Sequence, residues 1–167
     1  MSIPTKGYGL KGLFNYGFTY GGIEGTMQGK GLRFDDGRLV GIIEDKDENS
    51  RDGTSKYLLG QFHSSGLSLL KIPPVDRGMM VIAWALREKE NGVYQGGWVP
   101  LGASLDSLGL SSSPSLQHIN KLDIRNFEII TEEYFDAIIS DAEGDDRKVE
   151  LTLSLSDLAT TRNELGI

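Results

Sequence analysis

The chain has 167 residues, 38% of them hydrophobic and 22 of them glycine, which is enough for a globular protein with a core of its own. It contains no cysteine, which excludes disulfides, thiolate metal sites and a cysteine nucleophile. The formal net charge of −7 argues against a general nucleic-acid binder, because phosphate recognition needs a basic surface.

No segment of the chain has the pattern of a targeting or membrane segment. Residues 1–7 lack the apolar stretch of a signal peptide, and no later window approaches the roughly 18 apolar residues of a membrane span. We therefore expect no membrane span and a cytoplasmic location.

Glycine and charge are unevenly distributed along the chain. Residues 1–60 hold 13 of the 22 glycines, whereas acidic side chains concentrate toward the end. A connector rich in Ser, Gly and Leu, residues 101–118, separates the glycine-rich part, 1–100, from the acidic part, 119–167. Because the acidic part is too short for a stable core of its own, we expect the whole chain to form a single domain.

Three segments share one pattern: Gly, three residues, Gly, one residue, and then a large apolar side chain. They are Gly17–Ile23, Gly37–Ile43 and Gly92–Trp98. The pattern is typical of a tight turn that leads into a strand of an antiparallel sheet. The second glycine then lies inside the strand, which is tolerated where a strand coils sharply, as in small closed barrels.

Short apolar runs separated by turn residues fill the first hundred positions. Hairpin turns are predicted at Asp36–Gly37, Ser64–Gly66 and Asn91–Gly92, because glycine, asparagine and aspartate favour such turns. Strands at this spacing form a meander and not βαβ units. The predicted fold is therefore mostly β, an antiparallel meander that closes toward a barrel, with little helix.

The acidic part is predicted to add strands and a short helix. Val149–Leu155 alternates apolar and polar residues, which indicates a strand with one buried face. Leu122–Ile130 is predicted to be another strand. Residues 157–165 are predicted to form a short helix, with Thr161 and Glu164 as its capping box.

Residues 131–144 fit two structures equally well. As a helix near 132–143, the segment has Thr131 as N-cap, glutamates in its first turn, Gly144 just after its end and one apolar face. As a strand, the segment forms a hairpin with Val149–Leu155. The sequence leaves this choice open.

Two acidic stretches resemble metal sites and fail as such. Asp45–Asn49 starts like a calcium loop, but Ser50 stands where that loop needs glycine and Lys56 where it needs glutamate. We interpret the stretch from Glu44 to Ser55 as a charged, solvated loop. The second stretch is interpreted as an acidic turn; its residues are Asp141, Glu143, Asp145 and Asp146. We therefore predict neither a metal site nor a cofactor.

The two histidines do not complete a catalytic set. A serine nucleophile needs a histidine within hydrogen-bond reach, yet His63 and the adjacent Ser64 point to opposite faces of a strand. His118 follows the connector and is expected to be exposed. No catalytic residue is nominated, and a non-enzymatic role is favoured.

Aromatic side chains recur at every second position from residue 14 to residue 20. On a strand this spacing lines one face with rings, either as core or as the wall of a ligand cavity. Two tryptophans fall on the two arms of one predicted hairpin. The candidate ligand-binding residues are therefore Phe14, Tyr16, Phe18, Tyr20, Trp84 and Trp98.

Two family resemblances follow from these residues. Over residues 57–98, apolar strands that end in Gly-x-Trp resemble the strands of calycin-type barrels such as lipocalins and avidins. The resemblance implies a barrel that holds a ligand. Tyr94–Trp98 also resembles the Tyr-x-Gly-x-Trp of MORN repeats, although 17–23 and 37–43 lack the tryptophan.

Three functions are compatible with this reading of the chain. The first is a non-enzymatic module that binds a small hydrophobic or aromatic ligand in the barrel mouth. The second is a protein–protein interaction or assembly module, which includes a homo-oligomer. The third is a hydrolase or isomerase that uses the same mouth. The sequence favours the first.

Overall fold

The computed structural model describes residues 2–15, 24–47, 55–74, 81–102, 104–127, 131–145 and 147–167. Eight strands form a closed antiparallel barrel, in which each strand pairs with the next along the chain and the last pairs with the first. The strands are β1 Pro4–Asn15, β2 Glu24–Phe34, β3 Arg38–Asp47, β4 Ser55–His63, β5 Gly66–Ile72, β6 Ile82–Glu90, β7 Val93–Pro100 and β8 Lys148–Ser156. The helices are α1 Leu116–Asn120, α2 Glu132–Asp145 and α3 Leu158–Leu165. The predicted fold class is confirmed.

The two ends of the barrel differ in their connections. At one end, β2–β3, β4–β5 and β6–β7 are joined by the tight turns that the sequence predicts, with positive φ at Gly37 (88°) and Gly92 (81°). At the other end, where β1, β3, β5 and β7 finish, every connection is longer. We call this second end the long-loop end.

Alternate residues of the strands fill the barrel interior. Because side chains alternate across a strand, one residue in two points inward. The buried interior cluster comprises Tyr8, Leu10, Phe14, Met27, Leu39, Ile43, Leu58, Leu67, Leu69, Trp84, Leu86, Val149, Leu151 and Leu153. The predicted strand Val149–Leu155 lies within β8 and buries one face, as expected.

A second apolar cluster lies outside the barrel, between the strands and the helices. Outward residues of β2 to β6 pack there against the long β7–β8 connection, which contributes Leu105, Leu116, Ile119, Ile124 and Phe135 among others. This cover explains why every residue of β5 from Leu67 to Ile72 is buried, since both faces of the strand are covered.

The predicted strand over Leu122–Ile130 is wrong. The structure places a single 3₁₀ turn there, Ile124–Asn126, and residues 128–130 lie outside the described part of the chain. The Asp123 carboxylate accepts the Arg125 backbone N–H at 3.0 Å, which favours a turn over a strand. Ile124 is buried in the outer cluster, so the turn holds the connection against the barrel.

The open choice for residues 131–144 is decided in favour of a helix. Tyr134 N–H donates to Thr131 Oγ1 at 3.3 Å, and Phe135 and Ile138 pack on the outer face of the barrel. The helix runs to Asp145, so Gly144 lies inside it and not after its end.

The predicted C-terminal helix is confirmed as α3, but its cap differs from the prediction. Asp157 accepts the Thr160 N–H at 2.9 Å as N-cap, so Thr161 and Glu164 do not form the capping box. Gly166 ends the helix with a φ of 72°.

The second glycines of the repeated pattern lie where neighbouring strands approach closely. A Cβ on Gly96 would lie 1.8 Å from the Ala85 carbonyl oxygen, and one on Gly41 would lie 2.3 Å from that of Lys30. No side chain fits at either position, which agrees with glycines that let strands coil into a small barrel. Gly21, their counterpart in the first segment, lies outside the described residues.

Candidate functional site

Three charged side chains from adjacent strands meet inside the barrel at its long-loop end. Asp45 of β3 accepts hydrogen bonds from Lys56 Nζ of β4 at 2.5 Å and from Lys71 Nζ of β5 at 2.8 Å. Asp45 and Lys71 are only 8% and 9% exposed. We call Asp45, Lys56 and Lys71 the charged cluster.

The inward positions of these strands explain why the charged cluster forms. Asp45 follows inward Leu39 and Ile43 by even steps, and Lys71 follows Leu67 and Leu69 in the same way. Asp45 and Lys71 are thus inward positions near the ends of β3 and β5, and Lys56 lies near the start of β4.

Two aromatic rings lie close to the Lys71 ammonium. Its Nζ lies 5.4 Å from the centroid of the Phe14 ring and 5.8 Å from that of Trp84, which is within the range of cation–π attraction. Trp84 pairs across the sheet with Trp98, whose indole N–H donates to the Asn15 carbonyl at 2.8 Å.

Three of the six predicted ligand-binding residues therefore come together at one end of the barrel. Phe14 and Trp84 are buried, and Trp98 is half-buried. The other three, Tyr16, Phe18 and Tyr20, lie outside the described residues. The rings of Phe14 and Trp84 belong to the interior cluster, and Trp98 packs against that cluster while only partly buried.

Burial and charge act against each other in the charged cluster. Burial lowers the pKa of Lys71, and the neighbouring Asp45 carboxylate opposes this only in part. Burial alone would raise the pKa of Asp45, but the two ammonium groups outweigh it and keep that pKa below its ordinary value. Asp45 is therefore the negatively charged member of the charged cluster.

The Lys71 ammonium has more N–H donors than the described residues have acceptors for it. An ammonium carries three N–H donors, and within the described part of the chain Asp45 is its sole hydrogen-bond acceptor. A buried charge with unused donors is costly unless another acceptor takes them. Chemically, the group can donate to a carbonyl or carboxylate oxygen, or act as an amine nucleophile.

Sequence reasoning missed this group. It assigned Asp45 to a solvated loop, considered Lys56 only as a misfit in a calcium loop, and did not single out Lys71. Asp45 and Lys56 instead belong to strands and form an ion pair inside the barrel. The available signal was a lysine within the apolar run Leu67–Ile72, at the same alternating position as two leucines.

His63 forms a pair of a different kind, outside the barrel. Its Nε2 lies 2.9 Å from Ser68 Oγ, across the hairpin, and its ring packs edge-on against Phe135 of α2. Burial lowers the pKa of His63, Glu132 opposes the shift and Arg87 adds to it. Because Ser68 is fully buried, its hydroxyl is not positioned to attack a substrate.

The other chemical candidates of the sequence stay separate from the charged cluster. Within the described residues, no three His, Cys, Asp or Glu side chains form a group that suits a metal ion. The predicted acidic turn is wrong for Asp141, Glu143 and Asp145, which lie in α2. In the same part of the chain, no helix is long and apolar enough to cross a membrane.

Two grooves lie on the outer surface of the barrel. One, of about 950 Å³, runs beside α3 and is lined by Lys11, Thr26, Gln28, Lys30, Glu44, Glu150 and Glu164 among others. The second, of about 730 Å³, lies beside α2 and β7. Their charges are mixed in sign, and the described lining of neither groove includes Phe14, Trp84 or Trp98.

The described geometry defines an eight-stranded, up-and-down antiparallel β-barrel with a lysine–aspartate cluster among aromatic rings at one end. Comparisons with known protein families, with curated proteins and with solved structures find no match to this chain. The resemblance to calycin-type barrels holds at the level of an eight-stranded antiparallel barrel.

Proposed function

We propose that the protein is a non-enzymatic module that binds a small hydrophobic or aromatic ligand at the long-loop end of its barrel. The observation that carries the proposal is Lys71, a buried ammonium that lies among aromatic rings and has one hydrogen-bond acceptor, Asp45, among the described residues. A ligand-binding role of the calycin type belongs to the same proposal.

The cost of the charged cluster supports a role in binding. Removing an ammonium from water costs several kcal/mol, and replacement of a buried ion pair by apolar residues often stabilises a fold. A ligand oxygen that accepts from the Lys71 donors for which the described residues offer no acceptor would offset part of this cost. The rings of Phe14, Trp84 and Trp98 would contact the apolar body of the same ligand.

The filled interior restricts the ligand to the mouth of the barrel. Leu10, Leu58, Leu69 and Leu151 are almost completely buried and occupy the middle of the barrel. Trp98 keeps exposed surface near the strand ends. The proposed ligand therefore lies across the long-loop end and does not thread the barrel.

Tryptophan fluorescence tests the proposal, because both tryptophans of the chain lie at this end. Titration with a library of small aromatic acids, alcohols and ketones is expected to give a saturable change for at least one compound. Lys71→Met should weaken that binding by about tenfold, the equivalent of a charged hydrogen bond of roughly 1.4 kcal/mol.

Lys11→Met is the matched control, because Lys11 is exposed on the outer face of β1. It should bind as the wild type does. Lys71→Met leaves Asp45 paired with Lys56, so the fold is expected to persist. Absence of any saturable ligand, or equal binding by both variants, would refute the proposal.

The other functions named from the sequence remain predictions. An interaction or assembly role and an enzymatic role at the same mouth each lack a described residue set that favours them over ligand binding. The cytoplasmic location is likewise a prediction.

A further inference from the structure

We propose that Lys71 forms an imine with an aldehyde bound at the long-loop end, so that the ligand class includes apolar and aromatic aldehydes. The inference rests on the proposed function, since the aldehyde would occupy the same aromatic mouth. It adds a covalent step that binding alone does not require.

The surroundings of Lys71 suit an amine nucleophile. Lysine is activated when an apolar environment or a second cation disfavours its charged form. Lys71 has both, because it is 9% exposed among rings and shares the Asp45 carboxylate with the Lys56 ammonium. Burial lowers the pKa of Lys71, and the positive charge of Lys56 acts in the same direction.

Among the described residues, the charged groups that face Lys71 come from two strands. Asp45 approaches from β3 and Lys56 from β4, whereas β1 and β6 contribute the Phe14 and Trp84 rings. The carboxylate lies 2.8 Å from Nζ and is placed to accept the proton that the amine must lose before it attacks.

The reaction balances without any further reagent. Asp45 takes a proton from the Lys71 ammonium, and the neutral amine adds to the carbonyl carbon to form a carbinolamine. The former carbonyl oxygen receives one proton from the attacking nitrogen and one from Asp45, and it leaves as water while the C=N bond forms. Ammonium and aldehyde thus give a protonated imine and water, and the imine retains one positive charge opposite Asp45.

Lys71 is a better position for this chemistry than Lys56. Lys71 lies against two aromatic rings, which would hold the apolar body of an aldehyde beside Nζ. Once Asp45 has taken one proton, the neutral amine has a lone pair and two N–H groups that no described residue accepts, so the amine can turn its lone pair toward the ligand while Asp45 stays close.

Reductive trapping tests the inference. The protein is incubated at neutral pH with benzaldehyde and sodium cyanoborohydride, and labelled residues are located by intact mass and peptide mapping. We expect one benzyl group per chain, carried by Lys71. Lys71→Arg, which retains the positive charge opposite Asp45, should lose that label. Lys30→Arg is the matched control and should retain it, because Lys30 is an exposed surface lysine.

The wild-type peptide map decides the question even if Lys71→Arg does not fold. Labelling of Lys56 or of surface lysines as often as Lys71 overturns the inference, and so does the absence of any label. Benzyl alcohol, which has no carbonyl, separates the two proposals. If it binds saturably by tryptophan fluorescence while Lys71 is not labelled, the imine is refuted and the binding function stands.

Discussion

At the scale of single residues, Asp45 decides whether the charged cluster is tolerated inside the barrel. Its two carboxylate oxygens pair with Lys56 and Lys71, and its own exposure is only 8%. Without that carboxylate, two ammonium groups would face each other at the edge of the core. The net stability of the cluster therefore depends on one side chain.

Asp45→Asn is expected to destabilise the protein by about 3–5 kcal/mol, because it leaves buried ammonium groups without a counter-charge. Equilibrium urea unfolding measures the change. Asp136→Asn serves as control, since the Arg87–Asp136 pair is exposed and should contribute at most about 1 kcal/mol. Equal losses in the two variants would show that the charged cluster is not buried as described.

Individual site residues were also the hardest feature to predict from the sequence. Phe14, Trp84 and Trp98 were selected by their spacing, and the structure brings these three together. Lys71 was missed because its meaning depends on two partners from other strands. A lysine in an apolar run indicates an unusual position, but only the pairing of β3, β4 and β5 brings Asp45 next to it.

At the scale of elements, turn residues made the hairpins predictable. A glycine with positive φ stands in the β2–β3 and β6–β7 turns, and few other residues adopt that conformation. The strand predicted over Leu122–Ile130 failed because a local Asp123 hydrogen bond and the burial of Ile124 favour a 3₁₀ turn. Apolar content alone does not separate these two outcomes.

The helix α2 shows why residues 131–144 were ambiguous. The segment has the helical cap and the apolar face, but it also has strand-forming residues. Packing decides the outcome, because Phe135 and Ile138 cover outward residues of the barrel that would otherwise face water. That outer surface exists only once the barrel has closed, so the sequence of the segment alone does not reveal it.

Strand β7 provides a test of the close approach between neighbouring strands. Gly96→Ala is expected to destabilise the barrel by about 1–3 kcal/mol or more, because the added Cβ would lie 1.8 Å from the Ala85 carbonyl oxygen. Thermal and urea unfolding measure the effect.

Gly9→Ala is the matched control within β1. Its nearest neighbour, the Ser154 carbonyl oxygen, would lie 4.0 Å from the new Cβ. The expected change is within about 1 kcal/mol, since alanine also reduces the freedom of the unfolded chain. If Gly96→Ala is tolerated as well as Gly9→Ala, then β6 and β7 do not approach as closely as described.

At the scale of the whole molecule, closure of the barrel creates the proposed site. β8 returns after the long connection to pair with both β1 and β7, which places Phe14 opposite Val149 and near Trp98. Tight turns lie at one end, and the longer connections lie at the end that carries the charged cluster. The sequence predicted the closure, while the assembly of charges and rings required the strand register.

The most direct test of ligand binding at the long-loop end is an NMR titration of the two tryptophan indole N–H signals. The chain has only Trp84 and Trp98, so the spectrum shows two such signals that single substitutions to Phe can assign. With benzyl alcohol, or with the strongest compound from the fluorescence library, both signals should shift and saturate together. The account is contradicted if neither indole signal moves while backbone signals beside the outer grooves do.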